Sequence, residues 1–411
     1  MTYLLESTMP KIYDLIIVGG GLVGAGLAVA LHGTGLTIAL IDARKPSSDD
    51  PRLFALNKSS CQFLENLGLW DALAKYAAAI KDVHVSHKGH FGAVRLRGHD
   101  VAAVALGHVI PAYKIETALN DRLLALPDVT LYRPATLTTL TEANGMVTLT
   151  IASDEKNIRL QSAIVMGADG TASIVRDQAA IAAETFDYQQ SAVVTRTRLH
   201  RSHLHIAYER FNKTGAIAML PLVNNDYHEC ATIWTADNAK ASELMAMSDA
   251  AFLEALQNEF GYRLGRLQAI STRHFFPLRM LCAEKAVNQG VLLLGNALHT
   301  LHPIAAQGFN LALYEVALLA EGIKERCAKK ELFSITDLQN MIARSEKQQT
   351  VSMSVSHRLP QLFRGTSMLT SLLTQAGMTA FDMAQPLKKI FINRMMGRTG
   401  TVPRLLLGAN E

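Results

Sequence analysis

Asp14-Leu15-Ile16-Ile17-Val18-Gly19-Gly20-Gly21-Leu22-Val23-Gly24-Ala25-Gly26 is the stretch that decides the fold. Leu15 to Val18 is an apolar run without alternation, as a strand buried on both faces requires. Gly19-x-Gly21-x-x-Gly24 follows at once, and Gly26 to His32 is small and apolar, suited to a helix lying close on a sheet. Each glycine of the motif has its own reason. Gly19 permits the tight turn, Gly21 lets backbone approach a pyrophosphate, and Gly24 allows close helix–strand packing. The helix start then offers free N–H groups and a positive dipole end to an anion. Thr37 to Ile41 reads as a second buried strand that ends at Asp42, whose carboxylate suits ribose hydroxyls. With strand, helix and acid all in place, a nucleotide-binding βαβ unit is favoured over an ordinary glycine-rich turn. The motif does not separate NAD from FAD.

From Leu15 to Ile41 there is no Lys, Arg, Asp or Glu, which imitates a membrane span. Glycines at 19, 20, 21, 24, 26, 33 and 35 cluster at two turns instead, so a buried strand–turn–helix–strand accounts for the run. The whole chain has 411 residues, 49% hydrophobic and 18% charged, which excludes general disorder. Its mean hydropathy of +0.13 raises the question of a membrane. Net charge is +4, from 40 basic and 36 acidic residues, too balanced for a dedicated nucleic-acid binder. The charge is uneven: residues 351–411 hold seven Lys/Arg against Asp382 and Glu411. Cys61, Cys230, Cys282 and Cys327 form no CxxC pair, which argues against a zinc framework or a disulfide scaffold and for a cytoplasmic location. The N-terminus has no basic signal-peptide start.

Farther along, residues 53–80 are expected to be helical, with Leu56, Phe63, Leu64 and Leu67 at helical spacing. Residues 83–105 alternate like strands, and Lys114 to Ala125 reads as a helix. Residues 129–166 read as strands with a hairpin at Asn144-Gly145, ending in the buried run Ala163–Met166. From about 188 to 278 the texture becomes that of an antiparallel sheet, at 193–199, 204–210, 216–220 and 229–235, with one amphipathic helix over 242–260. Val291–Leu294 returns to a buried strand, a long apolar helix runs from Gly308, and 334–400 is mostly helical. The expected class is α/β: an FAD-binding Rossmann-like GxGxxG domain built from separated segments, an antiparallel-sheet substrate domain and a helical C-terminal region. The boundaries are 11–180 with 279–330, then 181–278, then 331–411, with part of 83–110 facing the sheet domain.

Two further stretches follow buried strands. One is Gly167-Ala168-Asp169-Gly170-x-x-Ser173-x-x-Arg176. The other is Gly295-Asn296-Ala297-Leu298-His299-Thr300-Leu301-His302-Pro303, continuing to Gln307-Gly308-Phe309-Asn310. In this order and spacing the three motifs resemble the flavoprotein aromatic hydroxylases of the p-hydroxybenzoate hydroxylase fold. The resemblance covers most of the chain and is weaker over 181–278 and beyond 330. Val83-His84-Val85-Ser86 with Gly89-His90, Ala218-Met219-Leu220-Pro221, and Asn296 with the following loop are most similar to the branch of ubiquinone biosynthesis that hydroxylates polyprenyl methoxyphenols. Two positions depart from the common pattern: Asn296, where most of the family has Asp, and Ala306, where it usually has Gly.

The resemblance implies bound FAD, NAD(P)H as a transient reductant and dioxygen as co-substrate, acting through a flavin C4a-hydroperoxide. It implies a polyprenyl phenol as substrate, hydroxylated para to its hydroxyl to give a 1,4-benzoquinol. The cofactor-binding residues would be Gly19, Gly21, Gly24, Asp42, Arg44, Arg52, Asp169, Gly170, Gly295, Asn296, Pro303, Gln307, Gly308 and Asn310. Of these, Arg52 fits the family arginine at the pyrophosphate or ribityl side, while Arg44 reads equally as a solvated surface residue. Gly308, Phe309 and Asn310, at a helix start, would place N–H groups against charge developing on reduced flavin. No covalent or acid–base residue is assigned. The sheet around Ala216–Leu222 and Ile233–Thr235 is the expected wall of the ring pocket. Histidines at 84, 87 and 90, at 200, 203 and 205, and at 299 and 302 carry no metal-binding pattern.

Three alternatives stay beside this reading. An NAD-dependent dehydrogenase explains only the first motif. A non-catalytic flavin-binding subunit of a ubiquinone-biosynthesis assembly draws support only from Asn296 and Ala306. A flavin hydroxylase could also act at a neighbouring ring position. An enzyme complex and a homo-oligomer are compatible with the sequence. In the tail, Leu369, Leu372, Leu373, Ala376, Ala380 and Met383 fall at helical spacing, followed by Lys388, Lys389, Arg394 and Arg398. That pattern suits either a core helix with a solvated basic end or a peripheral contact at the inner face of a membrane. On the second view, removing 367–411 should lower membrane association more than FAD content.

Overall fold

Four short apolar runs and two edge strands make the central sheet of the computed structural model, which describes residues 9–45, 50–153, 156–224, 226–302, 307–363 and 368–408, with side chains of 355–363 and 368–374 left aside. The sheet has six strands in the order Val287–Asn288, Val291–Leu293, Val165–Gly167, Leu15–Val18, Ile38–Ile41, Val129–Tyr132. All neighbours are parallel except the first pair. Every residue of Leu15–Val18, Ile38–Ile41, Val165–Gly167 and Val291–Leu293 is buried, which is why these runs lack alternation. Strands that sequence separates by well over a hundred residues are thus neighbours.

One face of this sheet carries the helix Leu22–Ala30, the helices Lys58–Asn66 and Ala112–Leu124, and the long helix Gln307–Ala328, joined in one apolar cluster. The other face is covered by the four-stranded sheet formed by Lys11–Ile12, Lys156–Ser162, Met146–Ser153 and Thr136–Ala143. Its hairpin turns at Asn144 and Gly145, both at positive φ as a two-residue turn demands.

A nine-stranded sheet lies beside them. Its order is His299–Thr300, His274–Ala283, Ala183–Leu199, Glu229–Asp237, Ala216–Pro221, Ile206–Phe211, Asp82–His87 and Ala93–Arg97, with Leu267–Ile270 also on Ala183–Leu199. Helices Asn238–Ala246 and Asp249–Phe260 pack on one face over Ile217 and Trp234, with Phe252 of the second helix 5.7 Å from the Trp234 ring. The opposite face, with Ala207 and Ala231, looks toward Ile80 and Val109. The expected division at residue 278 falls inside the strand His274–Ala283, which runs on to pair Cys282 with His299.

Two expectations need correction. Leu53–Asn57 is a strand paired antiparallel with Gly107–Pro111, and the helix starts only at Lys58, where the Asn57 side chain accepts the Ser60 N–H at 2.8 Å. Leu56 matched the helical spacing of Phe63 and Leu64 by coincidence of the two periods. The stretch 242–260 is two helices, because Ser248 caps a new start by accepting the Ala251 N–H.

The C-terminal segment returns to the body of the protein. Ile392 and Met396 pack with Val94 and Leu96, Leu406 enters the main cluster, and the Tyr314 hydroxyl donates to the Thr401 carbonyl at 2.7 Å. Lys388 is buried against Asp382 at 3.2 Å and Asp100 at 3.9 Å. No helix among the described residues is long and apolar enough to cross a membrane. The Leu369, Leu372 and Leu373 side chains, three members of the expected apolar stripe, lie outside the described residues.

Candidate active site

The three motifs meet at the C-terminal end of the parallel sheet, where open α/β sheets bind ligands. A Cβ on Gly24 would sit 1.9 Å from the Gly19 carbonyl oxygen, and one on Gly19 would sit 2.3 Å from the Ala168 oxygen. Gly19 also holds φ at +104°. Those two glycines are therefore demanded by the backbone itself. Gly21 differs: an added Cβ would meet only the Arg44 guanidinium, at 3.9 Å, so its face is an open cradle. Gly21 makes no side-chain cap and no acid stands in the first turn of Leu22–Ala30, which leaves the helix start facing outward with its N–H groups.

Asp42 is buried beside this turn, 3.3 Å from Arg133 Nη2. Arg133 also donates to the Asn120 side chain at 2.7 Å and to the Gly20 carbonyl at 3.3 Å. Its Nε is buried with no partner among the described residues. Sequence reading missed this cation. The only signal was an arginine directly after the edge strand Val129–Tyr132. An open glycine cradle, a helix N-terminus, Arg44 and Arg133 suit the pyrophosphate of a dinucleotide.

The second motif closes on the first. The Asp169 carboxylate accepts from the Ser173 hydroxyl at 2.5 Å and the Val175 N–H at 3.1 Å. It therefore caps the short helix Ile174–Gln178, with Gly170 turning at φ +87°. The third motif lies against both. A Cβ on Gly295 would approach Val23 Cγ2 to 3.0 Å, Thr171 and Thr300 hydroxyls are 3.1 Å apart, and Arg176 donates to the Ala297 carbonyl at 3.2 Å. The Asn296 side chain is exposed at this edge. Pro303 and Ala306 lie outside the described residues.

Gln307 and Gly308 begin the long helix at the wall of a cavity. The Asn310 side chain ties the strand Leu53–Asn57 to this helix, since its Oδ1 accepts the Asn57 N–H at 2.9 Å and its Nδ2 donates to the Ala55 carbonyl at 3.0 Å. Phe309 stacks on Phe54 at 4.5 Å, and Arg52 lies over Phe54 at 5.8 Å while pairing with Asp50. Arg52 thus stands beside Phe54 and Phe309 at the helix start.

Behind the third motif, His299 Nε2 and Glu315 Oε1 are 2.5 Å apart and fully enclosed, with Gln349 donating to the same oxygen at 2.9 Å. Burial alone would push the His299 imidazole down, but the facing carboxylate and its hydrogen bond carry it above the ordinary histidine value. The pair joins the loop after Gly295 to the long helix and to the helix Glu346–Phe363.

Two cavities open beside the helix start. The smaller, about 70 Å³, touches Ala55, Asn57, Gln307 and Asn310. The larger, about 710 Å³, lies among Val83, Val85, Phe211, Gln307, Val351 and Phe391. Val83, Leu96, Gln307 and Met395 line both. A space of this size with mostly apolar walls suits a ring carrying an apolar tail.

Comparison with known proteins agrees with this geometry. Residues 13–330 match the FAD binding domain family, and residues 264–400 also match the squalene epoxidase family. Ubiquinone hydroxylase UbiL of Rhodospirillum rubrum is 31% identical, over 97% of this chain and 93% of its own. The 3-demethoxyubiquinol 3-hydroxylase of Escherichia coli is 28% identical, over 75% of this chain and 78% of its own. Among solved structures, p-nitrophenol 4-monooxygenase PnpA from Pseudomonas putida DLL-E4 superposes with a TM-score of 0.80 at 16% identity, covering 96% of this chain and all of the other, a likeness of fold. With the glycine cradle, the Ala-Asp-Gly turn and the Gly-Asn-Ala loop on one sheet edge, the chain belongs to the FAD binding domain family.

Proposed function

We propose that the chain hydroxylates a polyprenyl methoxyphenol para to its hydroxyl, giving a 1,4-benzoquinol, as an FAD-dependent monooxygenase of ubiquinone biosynthesis. The observation that carries this is the convergence of three flavin-type motifs on one sheet edge, beside a largely apolar cavity of about 710 Å³. Bound FAD supplies electron transfer from NAD(P)H and the activation of dioxygen. The chain's own residues do the rest. Gly21, Arg44 and Arg133 hold the pyrophosphate side. Asp42 and Asn296 meet hydroxyls at the sheet edge. The start of Gln307–Ala328 presents N–H groups to the ring system, where a developing negative charge is favoured. Asp169 and Asn310 position these elements by the hydrogen bonds described above. The division into 11–180 with 279–330, 181–278 and 331–411 belongs to the same reading.

The decisive experiment compares a strain lacking the protein with its complemented parent. Accumulation of a polyprenyl methoxyphenol in the deletion, and a yellow purified protein whose NAD(P)H oxidation rises with that phenol, are expected. A colourless protein that retains NAD sinks the proposal. The Escherichia coli relative is named for a 3-hydroxylation, so a second ring position is the reading to weigh against the first. Accumulation of a later, already para-hydroxylated intermediate would favour it.

A peripheral contact with membrane belongs to this proposal as well. Leu387, Ile390 and Phe391 are exposed at helical spacing on the helix Gln385–Met395, beside exposed Lys389 and Arg394, and exposed Met383 ends the preceding helix. Phe391 and Arg394 also line the large cavity, so this face adjoins the space a lipid-dissolved substrate must reach.

A further inference from the structure

One acid in the large cavity has no place in the scheme so far. Glu209 sits on the strand Ile206–Phe211, opposite Ala218 on one side and Val85 on the other. Along this strand, Tyr208 turns to the helix-covered face, 6.0 Å from Phe260, and Arg210 donates to the Glu259 carbonyl on that same face. Glu209 points the other way and lines the cavity beside Val83, Val85, Leu96 and Phe211. Its carboxylate has no hydrogen-bond or ion-pair partner among the described residues.

An ionisable group left unpaired against apolar walls is costly, and nothing in the packing requires one here. Ala207 and Phe211, its neighbours on the same face, are apolar. Burial pushes the Glu209 carboxyl up to about 7, and no neighbouring charge opposes it. The other charged groups on the cavity, Arg344, Glu346, Lys347 and Arg394, belong to the C-terminal helical segment. A carboxylate raised toward neutrality inside a substrate-sized cavity is what a general base needs, since its basicity is then matched to the working pH.

We propose that Glu209 is a catalytic residue, the general base that takes the phenolic proton of the aromatic substrate; this rests on the proposed function above. In that step the substrate O–H bond breaks and its electron pair stays on oxygen. The proton bonds to a Glu209 carboxylate oxygen, which becomes neutral. Nothing is oxidised or reduced. The resulting phenolate enriches the ring in electrons at the carbon para to it, where the new oxygen is to be received. Glu209 returns the proton to water when the product leaves.

The test uses FAD-loaded full-length protein, NADH, dioxygen and 2-allyl-6-methoxyphenol as probe, with quinol formation followed from pH 6 to 10. The wild-type rate should rise through about pH 7, as the base form of Glu209 accumulates. Glu209→Gln should lose about 10²-fold at pH 7, in the range general bases contribute. It should recover as the pH nears the ionisation of a free phenol, at about 10. FAD content serves as the measure of folding. Glu209→Ala provides a second route: added acetate should restore its rate in proportion to concentration. A wild-type enzyme stimulated by the probe, with both variants showing its pH profile and no acetate rescue, overturns this inference alone. A yellow wild-type protein that the probe does not stimulate overturns the proposed function and this inference together.

Discussion

Gly21 and Gly24 stand three residues apart and do different work, and substitution can separate the two. A side chain at Gly24 would collide with the Gly19 backbone at 1.9 Å, where no rotamer can relieve it. Gly24→Val should therefore cost about 3 kcal/mol or more of stability, the upper range of overpacking, read as a large drop in thermal midpoint. Gly21→Ala meets nothing closer than 3.9 Å. It should fold normally yet lose bound flavin on gel filtration, because its methyl group fills the approach to the pyrophosphate. Equal flavin retention in Gly21→Ala and wild type would refute the cradle. These glycines were legible in the sequence because their constraint is local, a turn and a close approach within a few residues. Arg133 was not, because its partners Asp42 and Gly20 come from a strand end and a turn about a hundred positions earlier. Asp169 was legible as part of a motif, but its action as a cap on Ser173 and Val175 shows only in the folded chain.

At the level of elements, the strand Leu53–Asn57 is the instructive case. Its residues carry a spacing that serves a helix as well as a strand, and what decides is a partner far away. Asn310 satisfies the Asn57 N–H and the Ala55 carbonyl from the first turn of Gln307–Ala328. Asn310→Ala leaves both backbone groups without that partner. At about 1–3 kcal/mol for each orphaned buried group, the loss in urea unfolding should be about 2–4 kcal/mol. Asn310→Asp keeps an acceptor for Asn57 and loses the donor to Ala55, so it should fall between. An alanine variant as stable as wild type would show that the strand is held by other means. The buried strands were legible because their short runs are apolar throughout, and the helix after Gly308 because its apolar pattern runs over many residues. The break between Ala246 and Asp249 was not, because the apolar spacing continues across a cap that only Ser248 marks.

On the scale of the whole molecule, the basic tail has a different meaning from the one its charge suggested. Lys388 is buried between Asp382 and Asp100, so part of the charge is internal, while the exposed Arg404 only pairs at the surface with Glu321 at 3.6 Å. Ile392, Met396 and Leu406 belong to the core. Deleting 367–411 would therefore strip the body of buried side chains, and lost membrane association in such a protein would say nothing about a docking face. What stands outward is the stripe Leu387, Ile390 and Phe391 on the helix Gln385–Met395, 57%, 63% and 37% exposed, with Lys389 between. Exposed apolar residues in a row beside cations suit the headgroup region of an anionic bilayer. Leu387→Ser with Ile390→Ser should leave stability within about 0.5 kcal/mol for each exposed site. Each side chain contributes roughly 1.5–3 kcal/mol when fully buried. Even partial insertion of both then predicts at least about a tenfold loss of binding to anionic phospholipid vesicles in co-sedimentation. Salt should weaken what the double variant retains, since Lys389 and Arg394 act through screened charge. Turnover of the water-soluble allyl probe should be unchanged in the double variant, while a polyprenyl substrate presented in vesicles should be hydroxylated more slowly. Identical vesicle binding by wild type and double variant would remove the bilayer from this face and leave the stripe to a protein partner.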